Sequence, residues 1–136
     1  MVRFHHTGMV AKNIAETYTD LREHSPVEAL SDVVYDPEQR VRLQLLDVGG
    51  LALELVEDHG AGPAASWLRR GCKLYHICFE VDDLDAHLDS ALQRGCIVVS
   101  LPKPAVLFHG RRVAFVMDPN LGLLEFLEKG LPGVEG

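Results

Sequence analysis

The sequence predicts an α+β protein made of two copies of a strand–helix–three-strand module, and two observations carry that expectation. The first is a weak tandem repeat. Phe4-His5-His6-Thr7-Gly8-Met9-Val10 lies over Leu74-Tyr75-His76-Ile77-Cys78-Phe79-Glu80 at a shift of 70 residues. The same shift lays Arg42-Leu43-Gln44-Leu45-Leu46 on Arg112-Val113-Ala114-Phe115-Val116. One residue of slippage then puts Leu53-Glu54-Leu55-Val56-Glu57 on Leu124-Glu125-Phe126-Leu127-Glu128. The second observation is periodicity, which changes from alternating to helical and back at corresponding places in both copies. A repeat of this length is a structural unit that must pack against its copy to bury its apolar face.

In module one (about residues 3–57), Phe4 to Val10 reads as a strand. Asn13 followed by Glu16 resembles a capping box, and Ile14, Tyr18 and Leu21 share one face of a helix over Ile14–Glu23. His24-Ser25-Pro26 stops it, because the residue before proline disfavours helix. A second strand is expected over Ala29 to Tyr35, and Asp36-Pro37-Glu38-Gln39 is turn chemistry. Val41 to Asp47 and Leu51 to Val56 form a hairpin across Val48-Gly49-Gly50. The linker, 58–72, holds a loop and a short helix over Pro63 to Arg70.

Module two (73–128) repeats the order. Lys73 to Val81 is a strand, and Asp82 or Asp83 caps a helix over Leu84–Arg94 that buries Leu84, Leu88 and Leu92. Gly95 is its stop. Ile97 to Ser100 is a strand, Pro102 to Gly110 a loop, and Arg112 to Asp118 with Gly122 to Leu127 the closing hairpin. The tail, 129–136, is expected to fray. At 136 residues the whole is expected to be a single domain.

With 13 basic against 20 acidic residues, the net charge is -7. That argues against nucleic acid or an anionic membrane as a partner, since both reward clustered Lys and Arg. Cys72, Cys78 and Cys96 are odd in number and lack a Cys-x-x-Cys pair, so they read as reduced thiols. No apolar run approaches the ~20 residues of a membrane span, and no signal-peptide core is seen. A cytoplasmic protein is expected.

The two copies also share two residue types that bind metal. Strand residues alternate faces, so His6 and His76 point with their even-numbered neighbours Phe4, Gly8, Leu74 and Cys78. Glu54 between Ala52 and Val56, and Glu125 between Leu123 and Leu127, point inward among apolar side chains. A carboxylate there is costly unless something compensates it. A divalent cation between two imidazoles and two carboxylates would do so, and mixed N/O ligation suits Co, Ni, Zn, Mn or Fe. The bland alternative is a hydrogen-bonded core histidine and a solvated strand-end glutamate, each occurring twice at equivalent positions.

At these residues the chain resembles the vicinal oxygen chelate superfamily of glyoxalase, bleomycin-resistance and dioxygenase proteins, over Phe4 to Glu128. The closest pattern is similar to methylmalonyl-CoA epimerases. It rests on His6-Thr7-Gly8, Tyr35-Asp36-Pro37-Glu38-Gln39, Leu53-Glu54-Leu55-Val56, Tyr75-His76-Ile77-Cys78-Phe79-Glu80-Val81-Asp82-Asp83, His109-Gly110 with Arg112-Val113-Ala114-Phe115, and Leu124-Glu125-Phe126-Leu127-Glu128. The resemblance implies a curved, mixed eight-stranded half-barrel sheet, a metal held by His6, Glu54, His76 and Glu125, and a homodimer. The epimerase pattern carries a proton-transfer glutamate on the third strand, where this chain has Arg42.

Arg42 is then either a clamp for an anionic part of the substrate or half of an ion pair, and Arg112 shares that ambiguity. Gln44 and Cys78 are the other candidate substrate contacts, Cys78 as a small apolar filler. His5 is expected to point away from the metal, and His24, His59 and His87 to lie on the surface. His109 is placed at the pocket mouth.

The function expected is a metal-dependent isomerase, epimerase or lyase that moves a proton next to a carbonyl. Glu125 is the first candidate for the proton-transfer group and Glu54 the second. Acyl-CoA thioesters are the substrates implied by the resemblance. The alternatives are a glyoxalase I-like lactoylglutathione lyase and a non-catalytic, resistance-type binding protein. Ring-cleaving oxygenase chemistry needs an open position that a fourth protein ligand would fill.

Overall fold

The computed structural model describes residues 2–59, 66–67 and 69–130. The element order is β1 (Arg3–Ala11), α1 (Ile14–Arg22), β2 (Val27–Ala29), β3 (Val34–Asp36), β4 (Val41–Val48) and β5 (Leu51–Asp58) in the first half. The second half runs β6 (Leu74–Val81), α2 (Leu84–Gln93), β7 (Ile97–Pro104), a 3₁₀ turn (Val106–Phe108), β8 (Arg112–Asp118) and β9 (Gly122–Glu128). The α+β class and the doubled module are those the repeat predicts. Half of the expected linker helix from Pro63 to Arg70, and the tail from residue 131 on, lie outside the described residues.

The chain forms two compact units, residues 6–75 and residues 1–5 with 76–136. In the first unit β1 pairs in parallel with β5, β5 antiparallel with β4, and β2 and β3 both pair antiparallel with β4. In the second, β6 pairs in parallel with β9, and β9, β8 and β7 follow antiparallel. A parallel first-to-last pairing inside each module needs a crossover, and the helix supplies it.

Each helix covers one face of its own sheet. Asn13 accepts the Glu16 amide at 2.9 Å and starts α1, which lays Ile14, Tyr18 and Leu21 over Ala11, Leu46, Leu53 and Leu55. Asp83 accepts the Ala86 amide at 3.0 Å and starts α2. Leu84, Leu88 and Ala91 then pack on Val81, Ala114, Val116, Leu124 and Phe126. Each fully buried leucine in such a layer contributes about 1.5–3 kcal/mol. Leu92, expected on this face, is 38% exposed. At about 100° per residue, position 91 returns to the line of Leu84 while position 92 has rotated past it.

Two strands differ from expectation. The single strand foreseen over Ala29 to Tyr35 is two short ones, giving nine strands among the described residues instead of eight. Ser31 is the cause. Its hydroxyl accepts the Leu45 amide at 2.9 Å, and the Leu30 and Ser31 amides both donate to the Leu45 carbonyl, so the chain bulges and the ladder breaks. β7 runs on to Pro104 through two register shifts. Among the described residues it pairs only with β8, and an edge strand tolerates Pro102 and Pro104 because it needs no second row of amides.

Candidate metal centre

Parallel pairing of β1 with β5 sets Gly8 opposite Glu54. His6, two residues before Gly8, projects on the same face. Its Nε2 lies 3.5 Å from Glu54 Oε2. His6 is 0% and Glu54 4% exposed. Leu53 and Leu55 on either side of Glu54 turn the other way, into the layer under α1. On β4 the residue opposite Glu54 is Leu45, with Leu43 next on that face.

The second unit repeats this arrangement. β6 and β9 pair in parallel with Cys78 opposite Glu125. His76 Nε2 lies 3.2 Å from Glu125 Oε1, and both residues are 3% exposed. On β8 the residue opposite Glu125 is Phe115. Its ring meets the His76 imidazole edge-on, with centroids 5.6 Å apart and planes at 89°. The sequence reading missed this contact, although Phe115 aligns with Leu45 in the repeat.

Both pairs fit the chemistry of a divalent cation. Each supplies one imidazole nitrogen and one carboxylate oxygen from residues buried among leucine, valine and phenylalanine. An ion would offset the cost of burying such a carboxylate, and N/O donors of this kind suit first-row transition metals.

Arg42, Gln44 and Arg112 are not brought to these faces. Because Leu45 is the residue opposite Glu54, its neighbours on β4 point to the α1 side. Arg42 lies opposite Glu57 and is exposed, and Gln44 Nε2 donates to the Ser31 carbonyl at 3.2 Å. Arg112 reaches Asp85 on α2 at 3.0 Å and Glu128 at 3.2 Å. Hydrogen bonds to those two carboxylates raise its pKa. The ion-pair alternative therefore describes Arg112, and the substrate-contact reading of these three residues loses its geometric basis. A strand offset of one residue reverses the face, which pattern matching along the sequence does not resolve. Cys78, 0% exposed, does share the face of Glu125.

Of the three histidines expected on the surface, His24 and His59 are exposed and His87 is half-buried. His5 packs edge-on against Phe108, centroids 5.3 Å apart. His24 is exposed, and His109 is exposed with a left-handed φ of 56°. His59 is no bystander, since its Nε2 lies 2.5 Å from Glu57 Oε2. His87 is half-buried with its ring 4.6 Å from that of Phe126, and burial, then nearby Arg94, lowers its pKa. A second unforeseen group joins Glu80 to Arg3 at 2.7 Å and to Arg111. The Arg3 hydrogen bond, opposed by burial and aided by Arg111, holds Glu80 below the usual carboxylate range.

A family model described as the glyoxalase/bleomycin resistance protein/dioxygenase superfamily matches residues 5–115. The chain belongs to that superfamily. An ethylmalonyl-CoA/methylmalonyl-CoA epimerase of Cereibacter sphaeroides is 29% identical over 98 residues, covering 69% of this chain and 73% of the relative. Among solved structures, a hypothetical protein of Bacillus halodurans superposes with a TM-score of 0.82 at 23% identity over 98% of this chain and 99% of the other. A Streptomyces coelicolor methylmalonyl-CoA epimerase variant, in complex with 2-nitronate-propionyl-CoA, gives 0.79 at 25% identity over 98% and 97%. The fold of the superfamily thus extends along nearly the whole chain. Among the described residues, no helix is long and apolar enough to cross a membrane.

Proposed function

We propose that this chain is a metal-dependent enzyme that moves a proton at a carbon next to a carbonyl, with an acyl-CoA thioester as its substrate. His6, Glu54, His76 and Glu125 are assigned to one divalent ion. The observation that carries this reading is the recurrence of one buried imidazole–carboxylate pair at matched strand register in the two units. The epimerase names of the relatives support the substrate class.

A divalent ion held there would polarise the carbonyl and stabilise the charge that develops on its oxygen. The protein's own contribution is placement. The histidines orient the carboxylates, the apolar neighbours exclude water, and one carboxylate takes the proton from the adjacent carbon. On β4, Leu43 and Leu45 occupy the face of Glu54, so the acid–base work on this strand pair falls to Glu54 itself. Isomerase, epimerase and lyase outcomes share this first step. A cytoplasmic homodimer with Cys72, Cys78 and Cys96 as thiols completes the proposal.

Protein purified without chelator should carry close to one equivalent of divalent metal. In deuterated water it should exchange the α-proton of methylmalonyl-CoA, ethylmalonyl-CoA or the glutathione hemithioacetal of methylglyoxal. Metal without exchange on any of the three would favour the resistance-type binding protein.

A further inference from the structure

The second unit sorts its charges by sheet face. Alternation along β6 sets Glu80 on the face of His76 and Cys78, since Phe79 and Val81 turn to the layer under α2. On β8 that face holds Phe115, opposite Glu125, then Val113 and, just before the strand, Arg111. Lys103 on β7 stands opposite Val113 and so shares the face. Arg111 donates to Glu80 and, at 2.8 Å, to the Glu128 carbonyl, while Arg3 donates to Glu80 at 2.7 Å. Three cations, Arg3, Lys103 and Arg111, thus share this end of the face with one carboxylate. That is an excess of about two positive charges by ordinary ionisation, on a chain of net charge -7. The neighbouring acids are engaged elsewhere, Asp85 and Glu128 with Arg112 and Asp82 with Lys129. The Arg3 side chain stays 66% exposed, and Lys103 is exposed with no ion pair or hydrogen bond among the described residues.

Resting on the function proposed above, we infer that this cationic end of the face holds the phosphate groups of the acyl-CoA substrate. Guanidinium binds phosphate through paired N–H donors and ammonium binds it as a point charge. Arg3 and Lys103, the exposed members, make the contacts. Arg111, 11% exposed and tied to Glu80 and the Glu128 carbonyl, adds its charge, and Glu80 fixes the Arg3 guanidinium. The spacing fits such a ligand. Glu80 lies four residues from His76 on β6, and Arg111 four from Phe115, which is about 13 Å along a strand. The pantetheine arm separates a thioester from the first phosphate by a length of that order. A substrate with its carbonyl at His76 and Glu125 would therefore bring its phosphates to Arg3 and Lys103. The anion clamp that the sequence suggested at Arg42 or Arg112 moves to residues on the metal side of the sheet.

Calorimetric titration of protein purified without chelator, with coenzyme A as the probe, tests the assignment by binding alone. Arg3→Gln combined with Lys103→Gln should weaken binding about tenfold or more, roughly 1.4 kcal/mol. Lys103→Gln by itself, which breaks no bond among the described residues, should weaken it about threefold. Lys12→Gln combined with Arg40→Gln removes the same charge from exposed positions of the first unit and should stay within about twofold. In α-proton exchange with methylmalonyl-CoA, the first pair should raise KM by a like factor and leave kcat unchanged. Inorganic diphosphate should bind wild type at least about tenfold more weakly than coenzyme A. Equal affinity would make this a site for free polyphosphate and overturn the assignment. Unchanged coenzyme A affinity in the Arg3 and Lys103 pair, or an equal loss in the Lys12 and Arg40 pair, would also overturn it, with metal binding and exchange left standing. Wild-type protein that neither binds a coenzyme A ester nor exchanges its α-proton would remove the acyl-CoA reading and the inference with it.

Discussion

Glu57 Oε1 accepts the backbone amide of Ile14 at 2.8 Å, so a carboxylate three positions along β5 from Glu54 closes the start of the helix on the other side of the sheet. Its second oxygen holds His59 at 2.5 Å. Burial pushes the Glu57 carboxyl up, but the Ile14 amide, His59 and Arg42 outweigh it and leave it below its usual range. Glu57→Ala should cost about 1–2 kcal/mol, the loss of a helix-start acceptor together with an amide left unsatisfied. Urea unfolding monitored by circular dichroism measures it, and a change under a few tenths would show that water replaces the carboxylate without loss.

Glu80 predicts the acid limb of the stability curve. Its folded pKa lies below the ordinary value of 4.5, chiefly through Arg3 and then Arg111 against opposing burial. The unfolded chain therefore binds the proton first as pH falls. The stabilisation is complete above about pH 4.5 and drains away below it. Glu80→Gln should flatten the fall in Tm between neutral and acid pH, and Arg3→Ala should flatten it in part, leaving the share that Arg111 holds.

His87 acts at higher pH. Its folded pKa is below 6.5 because charging the ring against Phe126 costs solvation. Below pH 6.5 the unfolded chain takes up a proton that the folded one resists, so stability declines as pH drops through that window. His87→Phe should remove this slope and leave the one from Glu80 in place, which a series of Tm values at half-unit pH steps resolves.

Metal retention tests the ligand assignment. His6→Ala and Glu125→Ala should each reduce bound metal sharply, since an incomplete set loses a directional donor and leaves buried carboxylate uncompensated. Elemental analysis after purification without chelator gives the answer. Full occupancy in both variants would exclude these residues as ligands.

Arg112→Ala separates the structural from the substrate reading of that residue. The guanidinium spans Asp85 and Glu128 on the α2 side, with the side chain 37% exposed. Its removal should cost no more than about 1 kcal/mol of stability and leave KM for an acyl-CoA substrate unchanged. A KM several-fold higher with unaltered stability would return Arg112 to the substrate.

The doubled module, both helix starts and the matched places of His6, Glu54, His76 and Glu125 in the repeat were legible in the sequence. They depend on short-range alternation and on a repeat that superposes His6 on His76 and Glu54 on Glu125. The face on which Arg42, Gln44 and Arg112 lie was decided by tertiary structure, because a strand's facing depends on the register of its partner. Leu45 opposite Glu54 sets that register, and a slip of one residue would reverse every side chain on β4. Glu57 with Ile14, Glu80 with Arg3, and Phe115 against His76 join residues 43, 77 and 39 positions apart. No local pattern encodes contacts of that span. The first and third exist because parallel β1–β5 and β6–β9 pairing returns the end of each module to its beginning.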